Sequence, residues 1–459
     1  MKTKVNFNSR FKNIIVVGGN AAGPAAAAKA KRVDPSANVL MFESGNYIST
    51  GTCELPYVLG GVIDDYNKII FYSPEEFESE KGVKVFINHR VDRIDRINKR
   101  ILVHDLIKNC SVEYPYDKLI LSTGSKAKRI DSLTPNLKNV FTLKSVKDLL
   151  AIQRYLSNLK LKKILITGAG YIGLEVCEAL IKRNIETIIL EKEKMPLPSA
   201  DPEIQNLISE GLNEKNVKFY GGISNPKFHF DDDYLKSIKI DGWQIEFDAA
   251  IQAIGVEPNI TLAIAAKLEL GKHGIKVDQN LRTSDQNIFA AGDCIEVANY
   301  FNRRPMYLPL ATLARDYGYI AGENAAGGFK SVSRVIPNVA VKIFDKNFVK
   351  VGLSSIEADD QNMNYDSVSA ITSNLVKIMP GAQNTFGKVI FERGTGKILG
   401  AQFFGGNEVI GYGDLISLVI KNNGSVKSLA EINFNYTPPK SPFINLLSIL
   451  GKKSKGKHE

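Results

Sequence analysis

The feature that most constrains the fold of this chain is a glycine-rich turn between a buried strand and a helix, and it occurs twice. In the more regular copy, the apolar run 163–167 leads into residues 168–173, which read GAGYIG. This is a complete GxGxxG motif, in which one glycine makes a tight turn, one lets the backbone approach a pyrophosphate and one permits close helix–strand packing. The motif predicts a dinucleotide site formed by Gly168, Gly170, Tyr171, Ile172 and Gly173.

An acidic residue after the next strand indicates which nicotinamide cofactor fits this site. The apolar run 187–190 ends at Glu191. A carboxylate in this position accepts hydrogen bonds from a free ribose 2′-hydroxyl and repels a 2′-phosphate. The sequence therefore favours NADH over NADPH, although the nearby Lys192 and Lys194 weaken that preference.

The first copy of the turn is less regular. The apolar strand 14–17 enters residues 18–23, which read GGNAAG, and an Ala-rich helix follows. Asn20 stands where a second glycine is usual, but the next apolar strand ends in Glu43, which is suitably placed for a ribose. An ordinary strand–turn–helix without a ligand is the alternative. The predicted cofactor contacts in this copy are Gly18, Asn20, Ala21, Ala22, Gly23 and Glu43.

A third segment, together with the two turns, resembles a known family. A strand at 288–291 runs into a Gly-Asp pair at 292–293, and residues 308–314 read LPLATLA. These segments, their order and the connector strands at 119–124 and 253–259 resemble the pyridine nucleotide-disulphide oxidoreductases, flavoproteins whose FAD domain is split in sequence. The resemblance implies FAD and a nicotinamide dinucleotide as cofactors.

The resemblance also implies roles for individual residues. Asp293 corresponds to the aspartate that binds the ribityl chain, and a helix start at 310–312 to the one facing the flavin pyrimidine. Glu175 corresponds to a glutamate near the nicotinamide and Tyr171 to a gating aromatic, with a surface acid and a packing tyrosine as the alternatives. The other cofactor contacts implied in this way are Thr123, Gly124, Gly255, Leu310, Ala311 and Thr312.

These observations predict an α/β fold with two Rossmann-like dinucleotide-binding domains and a C-terminal α+β dimerisation domain. The expected FAD domain is discontinuous, covering 1–125 and 255–330, and the NAD(P)H domain covers 126–254. In the third domain, 331–459, alternating patterns predict strands at 339–344, 348–352, 388–392 and 397–405. The resemblance implies a homodimer.

A cysteine in the run 49–57, which reads STGTCELPY, defines the expected chemistry. Members of the family with a redox disulfide need a CxxxxC pair, but the position five after Cys53 is Val58. They also use a His-Glu base near the C-terminus, where this chain reads FNYTPP at 434–439. Cys53 is therefore predicted to be a solitary redox centre.

Two single-cysteine branches of the family remain. NADH peroxidases and oxidases carry a histidine in the first glycine-rich loop, where this chain has Ala21. The run CELPYVLGG at 53–61 and the TyrThrProPro at 436–439 resemble coenzyme A-disulfide reductases and related persulfide reductases, in which the tyrosine comes from the partner subunit. Thr52 and Ile378-Met379 depart from that branch, which leaves the thiol carrier open.

We expect Cys53 to lie at the start of a helix, whose dipole together with a flavin lowers a thiol pKa from about 8.5. The resemblance gives Tyr436 the task of protonating the leaving thiolate. A buried structural cysteine is the alternative for Cys53. The resemblance implies contacts to a substrate, such as coenzyme A bound as substrate or adduct, and these are predicted at Lys29, Lys31, Arg32, Ser49 and Thr52. For the three cationic residues, a solvated basic helix face is the alternative.

Composition narrows the functional classes. Four cysteines without CxxC spacing, among 459 residues, argue against a disulfide scaffold or a zinc site and fit a reducing cytoplasm. The net charge of +10 suits polyanionic cofactors, so no nucleic-acid partner is expected. No apolar run is long enough for a membrane span. Residues 442–450 form either a dimer-packing helix or a membrane-surface helix, followed by a frayed Lys-rich end at 452–457.

The sequence thus leaves three functions open. The first is an FAD-dependent NAD(P)H oxidoreductase that passes electrons from NADH through FAD to Cys53, which reduces a low-molecular-weight disulfide or persulfide such as CoA-disulfide. The second is an NADH oxidase with oxygen or a quinone as acceptor. The third is a flavoprotein with a redox-signalling or binding role.

Overall fold

The fold is that of a computed structural model, which describes residues 3–4, 11–133, 136–157, 163–240 and 242–455. The strands within these residues are β1 (Thr3–Lys4), β2 (Asn13–Val17), β3 (Asn38–Phe42), β4 (Ile48–Thr50), β5 (Ile70–Tyr72), β6 (Lys84–Phe86), β7 (His89–Asp95), β8 (Arg100–Asp105), β9 (Cys110–Pro115), β10 (Lys118–Leu121), β11 (Ser125–Ala127), β12 (Val140–Thr142), β13 (Lys163–Thr167), β14 (Glu186–Leu190), β15 (Lys218–Tyr220), β16 (Lys227–Asp231), β17 (Tyr234–Ile240), β18 (Trp243–Glu246), β19 (Ala249–Gln252), β20 (Val256–Pro258), β21 (Ile288–Ala290), β22 (Val297–Ala298), β23 (Pro305–Met306), β24 (Asn338–Ile343), β25 (Lys346–Gly352), β26 (Tyr365–Ser373), β27 (Asn384–Glu392) and β28 (Ile398–Gly405).

The helices connect and cover these strands. They are α1 (Ala22–Val33), α2 (Leu55–Leu59), α3 (Pro74–Lys81), α4 (Val146–Ser157), α5 (Tyr171–Lys182), α6 (Pro202–Glu214), α7 (Thr261–Ala265), α8 (Ala311–Ala326), α9 (Ser355–Asp360), α10 (Glu408–Lys421), α11 (Val426–Glu431) and α12 (Leu446–Lys453). Two 3₁₀ turns, Thr52–Glu54 and Tyr66–Ile69, flank α2.

The first sheet is parallel and has the order β21-β10-β2-β3-β6. Its central strands are apolar on both faces because α1 and α8 pack on the sheet and the antiparallel strands β7 and β8 contribute to the same core. On one side, α1 and α8 pack closely: a Cβ on Gly318 or Gly322 would lie about 2 Å from the carbonyl oxygen of Ala22 or Ala26. One nucleotide-binding unit is thus assembled from two distant parts of the chain.

The second sheet is also parallel, with the order β12-β19-β13-β14-β15. Its strands all come from one stretch of the chain, and the antiparallel β16-β17-β18 meander packs at its side. The antiparallel pair β11–β20 lies where the chain passes between the two units. The two glycine-rich turns therefore follow the strands β2 and β13 in equivalent places of two similar sheets.

The C-terminal unit contains an antiparallel sheet, β24-β25-β28-β27-β26, covered by α10, α11 and α12. The predicted α/β class with two Rossmann-like units and an α+β third unit is confirmed. The sequence prediction missed β26 in this sheet. The domain limits 1–125, 126–254, 255–330 and 331–459 remain a prediction, which the strand content of the three sheets supports.

The segment 442–450 departs both from the favoured sequence prediction, a dimer-packing helix, and from the alternative, a membrane-surface helix. Helix α12 begins only at Leu446, and Leu446, Leu447 and Leu450 are fully buried against the third sheet. The apolar face is therefore covered by the same chain. The Lys-rich end is helical as far as Lys453, and Gly456 and Lys457 lie outside the described residues.

None of the helices within the described ranges combines the length and the apolar character needed to cross a membrane.

A buried ion-pair cluster joins the second and third units. The Nζ atom of Lys388, on β27, lies 2.9 Å from a carboxylate oxygen of Asp201 and 2.9 Å from one of Glu203. Asp201 also accepts hydrogen bonds from the backbone N–H and the hydroxyl of Ser355. Because Lys388 and the fully buried Asp201 each have several partners, the burial of their charges is compensated and the two units are held in register.

Candidate active site

Both glycine-rich turns and Cys53 open into one large cavity of about 1950 Å³ between the first two sheets and the β24 edge of the third. A pocket for one small ligand is typically about 300–1,000 Å³, so this space suits two large ligands side by side. The predicted site residues that line the cavity are Gly18, Asn20, Ala21, Ala22, Glu43, Thr52, Cys53, Thr123, Gly124, Gly168, Gly170, Tyr171, Ile172, Glu175, Glu191, Gly255, Asp293, Leu310 and Ala311.

The two turns share one arrangement of a carboxylate and a backbone amide. The N–H of Gly19 donates to Oε2 of Glu43 over 2.7 Å, and the N–H of Ala169 donates to Oε2 of Glu191 over 2.6 Å. Each acid follows the second strand of its sheet, where a ribose of a bound dinucleotide is expected. The equivalent contacts hold both carboxylates at the cavity wall before any ligand arrives.

The glycines of the second turn divide into packing and ligand positions. A Cβ on Gly173 would lie 2.0 Å from the carbonyl oxygen of Gly168, so Gly173 is needed for close packing of α5 on the turn. Gly23 has the same relation to Gly18 in the first turn, at 1.8 Å. A Cβ on Gly170 would meet no protein atom within 4 Å and would point into open space at the cavity wall. That free approach fits a pyrophosphate beside Gly170.

The residues expected around a flavin also fit such a ligand. Asp293 follows β21, and its Oδ2 accepts a hydrogen bond of 2.7 Å from the hydroxyl of Ser125. Helix α8 starts at Ala311, and its N-cap residue Leu310 makes no side-chain hydrogen bond, so the first N–H groups of a 16-residue helix remain available. These donors at the cavity wall are suited to a ring that carries negative charge.

The segment that carries Cys53 is fixed from the first turn. The backbone N–H and the hydroxyl of Thr50 lie 3.1 and 3.3 Å from Oδ1 of Asn20 and donate to it. The residue at the place of the usual second glycine thus ties β4 to the turn. Cys53 follows in a 3₁₀ turn directly before α2, with its side chain exposed to the cavity.

The protein groups alone do not lower the pKa of Cys53, so the sequence prediction on this point is wrong. Partial burial raises the pKa of the thiol, and the carboxylates of Glu54, Glu175 and Asp293 raise it further, whereas Lys144 lowers it. The predicted helix at this point consists of a three-residue 3₁₀ turn and the five-residue α2. So short a helix supplies little dipole against three nearby acids.

Tyr57 and Glu175 link the cysteine-bearing helix to the second nucleotide unit. The hydroxyl of Tyr57, on α2, donates to Oε1 of Glu175, on α5, over 3.3 Å. Burial raises the pKa of Glu175 to about 7. A carboxyl group that titrates near neutrality is thus placed beside the second glycine-rich turn.

Tyr171 is held at the cavity wall by two contacts. Its hydroxyl is 3.0 Å from that of Ser199, and its ring stacks against Phe348 of the third unit, with 6.4 Å between the ring centroids. Burial raises the pKa of the tyrosine. The gating role remains a prediction.

The structure places several predicted site residues away from the cavity. Lys29 pairs with Glu323 at 3.0 Å, Lys31 donates to two backbone carbonyls after α1, and Arg32 contacts the hydroxyl of Tyr319. These contacts favour the structural alternative for all three cations. The other predicted residues outside the cavity lining are Gly23, Gly173, Ser49, Thr312 and Tyr436.

Tyr436 lies on the exposed surface of the third unit. It is 46% exposed and packs edge-on against Phe443, which is 77% exposed. The tyrosine does not line the cavity of its own chain. This position is the one expected for a residue that serves a partner subunit.

The residues that sequence reasoning missed include Ser125, Lys144 and Tyr307, which line the cavity, and Tyr57, which contacts the cavity residue Glu175. Tyr57 had a signal, since it lies four residues after Cys53 in the quoted run. Lys144 and Ser125 act through Asp293, which is more than 140 positions away in sequence. No local pattern marks such contacts.

Comparison with known proteins agrees with this geometry. Residues 12–316 match the model of the pyridine nucleotide-disulphide oxidoreductase family, and residues 339–445 match that of its dimerisation domain. The chain is 29% identical to an NADH oxidase of Methanocaldococcus jannaschii, with 95% of this chain and 97% of the relative covered. It is also 29% identical to a coenzyme A disulfide reductase of Staphylococcus epidermidis, with 97% and 100% covered.

A solved structure has the same overall arrangement. The NAD-dependent persulfide reductase from A. fulgidus superposes with a TM-score of 0.92 at 29% identity, and the match covers 97% of this chain and 83% of that one. The shared architecture therefore extends over all three units.

Proposed function

Because this chain belongs to the pyridine nucleotide-disulphide oxidoreductase family, we propose that it passes electrons from NADH through FAD to Cys53, which reduces a low-molecular-weight disulfide or persulfide. The observation that carries the proposal is the shared cavity, into which both glycine-rich turns and the Cys53 side chain open. No second cysteine lines this cavity among the described residues, so the sulfur chemistry rests on one thiol.

The residues present divide the cofactors between the two turns. The first turn, Glu43, Asp293 and the start of α8 would hold FAD. The second turn and Glu191 would hold the nicotinamide dinucleotide. When bound, FAD supplies two-electron exchange between the nicotinamide and sulfur.

The sulfur cycle follows from the chemistry of one thiolate. The Cys53 thiolate attacks one sulfur of a disulfide, forms a mixed disulfide and displaces the first thiolate. Two electrons then cleave the mixed disulfide, which regenerates the Cys53 thiolate and releases the second thiolate. With NADH as donor, one NADH, one proton and one disulfide give NAD⁺ and two thiols.

A coenzyme A thiol is the carrier we favour. The relatives include a coenzyme A disulfide reductase and an NAD(P)H coenzyme A polysulfide/persulfide reductase of Pyrococcus horikoshii. The run CELPYVLGG at 53–61 supports the same branch. Thr52 and Ile378, which is 88% exposed, depart from that branch and leave the identity of the thiol carrier to experiment.

NADH is the nicotinamide cofactor that the second turn favours. The Glu191 carboxylate is buried, and it accepts from the N–H groups of Ala169 and Glu193. A 2′-phosphate would have to approach this fixed negative charge. Lys192, which also lines the cavity, is the nearest residue that offsets the repulsion.

A homodimer completes the proposed site. The matched dimerisation domain covers residues 339–445, and Tyr436 lies exposed within it. We assign Tyr436 to the cavity of the partner subunit, where its hydroxyl donates a proton to the leaving thiolate. Cys53 and Tyr436 are then the two catalytic residues of one composite site.

Reduction of oxygen is the second candidate function, favoured by the similarity to the M. jannaschii NADH oxidase. The peroxidase and oxidase branch carries a histidine in the first turn, however, and the corresponding Ala21 lines the cavity without a polar group. Disulfide reduction is therefore the preferred function.

Substitution of Cys53 by Ser tests the proposal. We expect the C53S holoenzyme to keep reduction of its flavin by NADH in a single turnover and to lose NADH consumption with CoA-disulfide by more than about a hundredfold. Cys110 is also exposed but lies on β9, outside the cavity, so C110S is the matched control and should retain activity. Steady turnover of CoA-disulfide by C53S would show that the sulfur mechanism is wrong. Sustained oxygen consumption by both variants would favour the oxidase.

A further inference from the structure

The Tyr57–Glu175 contact is the only hydrogen bond of the Glu175 side chain among the described residues, and no cation there forms an ion pair with this acid. Glu175 is half-buried and lines the main cavity beside the second glycine-rich turn. A buried carboxylate without a cation is costly to ionise. The carboxyl group is therefore poised to respond to any charge that enters this part of the cavity.

The other charged groups near Glu175 do not neutralise it. On its own helix, Glu178 raises the pKa of Glu175, and the charge of Glu178 is already taken up by Lys182 and by Lys342 of β24. On the opposing side, α2 presents the uncharged Tyr57, and the Cys53 thiol precedes it. A positive charge at Glu175 must therefore come from a ligand.

A second, smaller space adjoins the Glu175–Tyr57 pair. A small cavity of about 10 Å³ lies behind the pair and is lined by Pro56, Tyr57, Gly60, Glu175, Glu178, Ala179 and Lys182. This is about the least space that holds one water. Lys182, which lines this small cavity, has a side chain that is 41% exposed, so the space beside Glu175 and Tyr57 lies close to the protein surface.

We propose that Glu175 and Tyr57 form a proton-linked sensor of the nicotinamide ring, in which Glu175 is protonated beside the neutral reduced ring and ionised beside the cationic oxidised ring. The inference rests on the proposed function, in which the nicotinamide dinucleotide binds at the second glycine-rich turn, beside Glu175. Tyr57 is a positioning residue: its hydroxyl donates to the carboxylate and stabilises the ionised form. Binding of NAD⁺ then releases a proton from Glu175, whereas binding of NADH does not.

The sign of the pH dependence follows from this linkage. Burial has raised the pKa of free Glu175, and a bound cation lowers it. Between these two pKa values the affinity for NAD⁺ increases with pH, by at most about tenfold per pH unit. NADH carries no ring charge, so its affinity should stay level. The product is therefore held weakly in acid and more tightly in alkali.

Binding to the holoenzyme tests the inference independently of turnover. We would titrate the FAD-loaded C53S protein with NAD⁺, and the same protein with its flavin already reduced by dithionite under anaerobic conditions with NADH, between pH 5.5 and 8.5. Proton release would be measured by calorimetry in two buffers of different ionisation enthalpy. E175Q should bind NAD⁺ with a pH-independent affinity. Y57F should shift the NAD⁺ midpoint to higher pH, because the hydrogen bond that lowers the pKa of Glu175 is lost.

A matched control and two failure modes complete the experiment. Tyr66, on the neighbouring 3₁₀ turn, makes no hydrogen bond to Glu175 in the described part of the chain, so Y66F should leave the NAD⁺ profile unchanged. If NAD⁺ and NADH each bind but the NAD⁺ affinity does not change with pH and no proton is released, the sensor proposal is wrong. Failure of the holoenzyme to bind either nucleotide would instead overturn the proposed function.

Discussion

The Nζ atom of Lys144 lies 3.5 Å from Oδ2 of Asp293 at the wall of the main cavity. Lys144 follows β12 and Asp293 follows β21, so the pair joins the beginning of the second nucleotide unit to the end of the first. The two charges act on the Cys53 thiol in opposite directions: the ammonium group lowers its pKa and the carboxylate raises it. Thiolate formation therefore depends on a residue from a different unit.

Loss of the Lys144 charge should make Cys53 a weaker nucleophile. In the K144M holoenzyme, we expect the pKa of Cys53 to increase because the ammonium that favours the thiolate is gone. Iodoacetamide alkylation, followed by the mass of the Cys53 adduct across pH, should be several-fold slower near neutrality. Lys147 lines the same cavity but is not among the groups that shift Cys53, so K147M is the control. Identical profiles for both variants would rule out this role of Lys144.

An added methyl group at Gly170 should block the nicotinamide dinucleotide without disturbing the fold. The Cβ of G170A has no protein atom within 4 Å, and the backbone φ of −77° is ordinary for alanine. We expect an unchanged FAD content and melting temperature, with NADH binding weaker by about tenfold or more, or about 1.4 kcal/mol.

The contrasting variant is G173A, whose Cβ would collide with the carbonyl of Gly168. It should lower the melting temperature as well as NADH binding. Equal NADH affinity of G170A and the parent protein, measured by fluorescence titration, would show that the pyrophosphate does not pass over Gly170.

Removal of the Lys388 charge should destabilise the junction of the second and third units. The Lys388 side chain is 9% exposed and Asp201 is fully buried, so K388M leaves an uncompensated carboxylate. Breaking a buried pair in this way typically costs about 3–5 kcal/mol in the free energy of unfolding. Denaturant unfolding of the holoenzyme measures the loss.

A surface pair provides the comparison. The side chains of Lys427 and Glu431 are 71% and 63% exposed, and 3.8 Å separates the Nζ atom of the lysine from Oε1 of the glutamate. K427M should therefore change the free energy of unfolding by less than about 1 kcal/mol. If K388M and K427M unfold at the same denaturant concentration, the Lys388 cluster does not hold the two units together.

Mixed dimers test whether Tyr436 acts in the partner subunit. C53S and Y436F should each lose disulfide turnover as homodimers. Random pairing of the two chains gives heterodimers in half of the population, each with one intact composite site, so about one quarter of the wild-type activity should return. If Tyr436 served its own chain, the mixed population would be as inactive as the parents, since no single chain has both residues. Turnover of CoA-disulfide before and after subunit exchange distinguishes the two outcomes.

The parts of the site set by short-range patterns could be predicted from the sequence. Strand β13, its turn and Glu191 follow from an apolar run, three glycines and an acid at the end of the next strand, and the structure joins them by a backbone contact. The sequence also shows Asn20 as a departure from the usual second glycine of the motif. The contact of Asn20 with Thr50 could not be predicted, because the position of β4 beside the first turn depends on the folded first unit.

The parts set by distant charges could not be predicted. The pKa of Cys53 responds to Glu175, Lys144 and Asp293, which come from three separate elements. A local view of Cys53 shows only a helix start and suggests a lowered pKa.

The position of β21 in the chain has a consequence for biosynthesis. Strands β2 to β10 of the first sheet end at Leu121, but β10 gains its second neighbour, β21, only at Ile288, and α1 is covered by α8, which ends at Ala326. At 5–20 residues per second, the ribosome needs roughly 10–40 s to make the missing part. During that interval the emerging chain presents an unpaired apolar strand edge. The second sheet, whose strands all lie between Val140 and Gln252, has all its strands synthesised before the first sheet is complete. The nascent polypeptide is therefore most prone to aggregation while its N-terminal third waits for the strand that closes it.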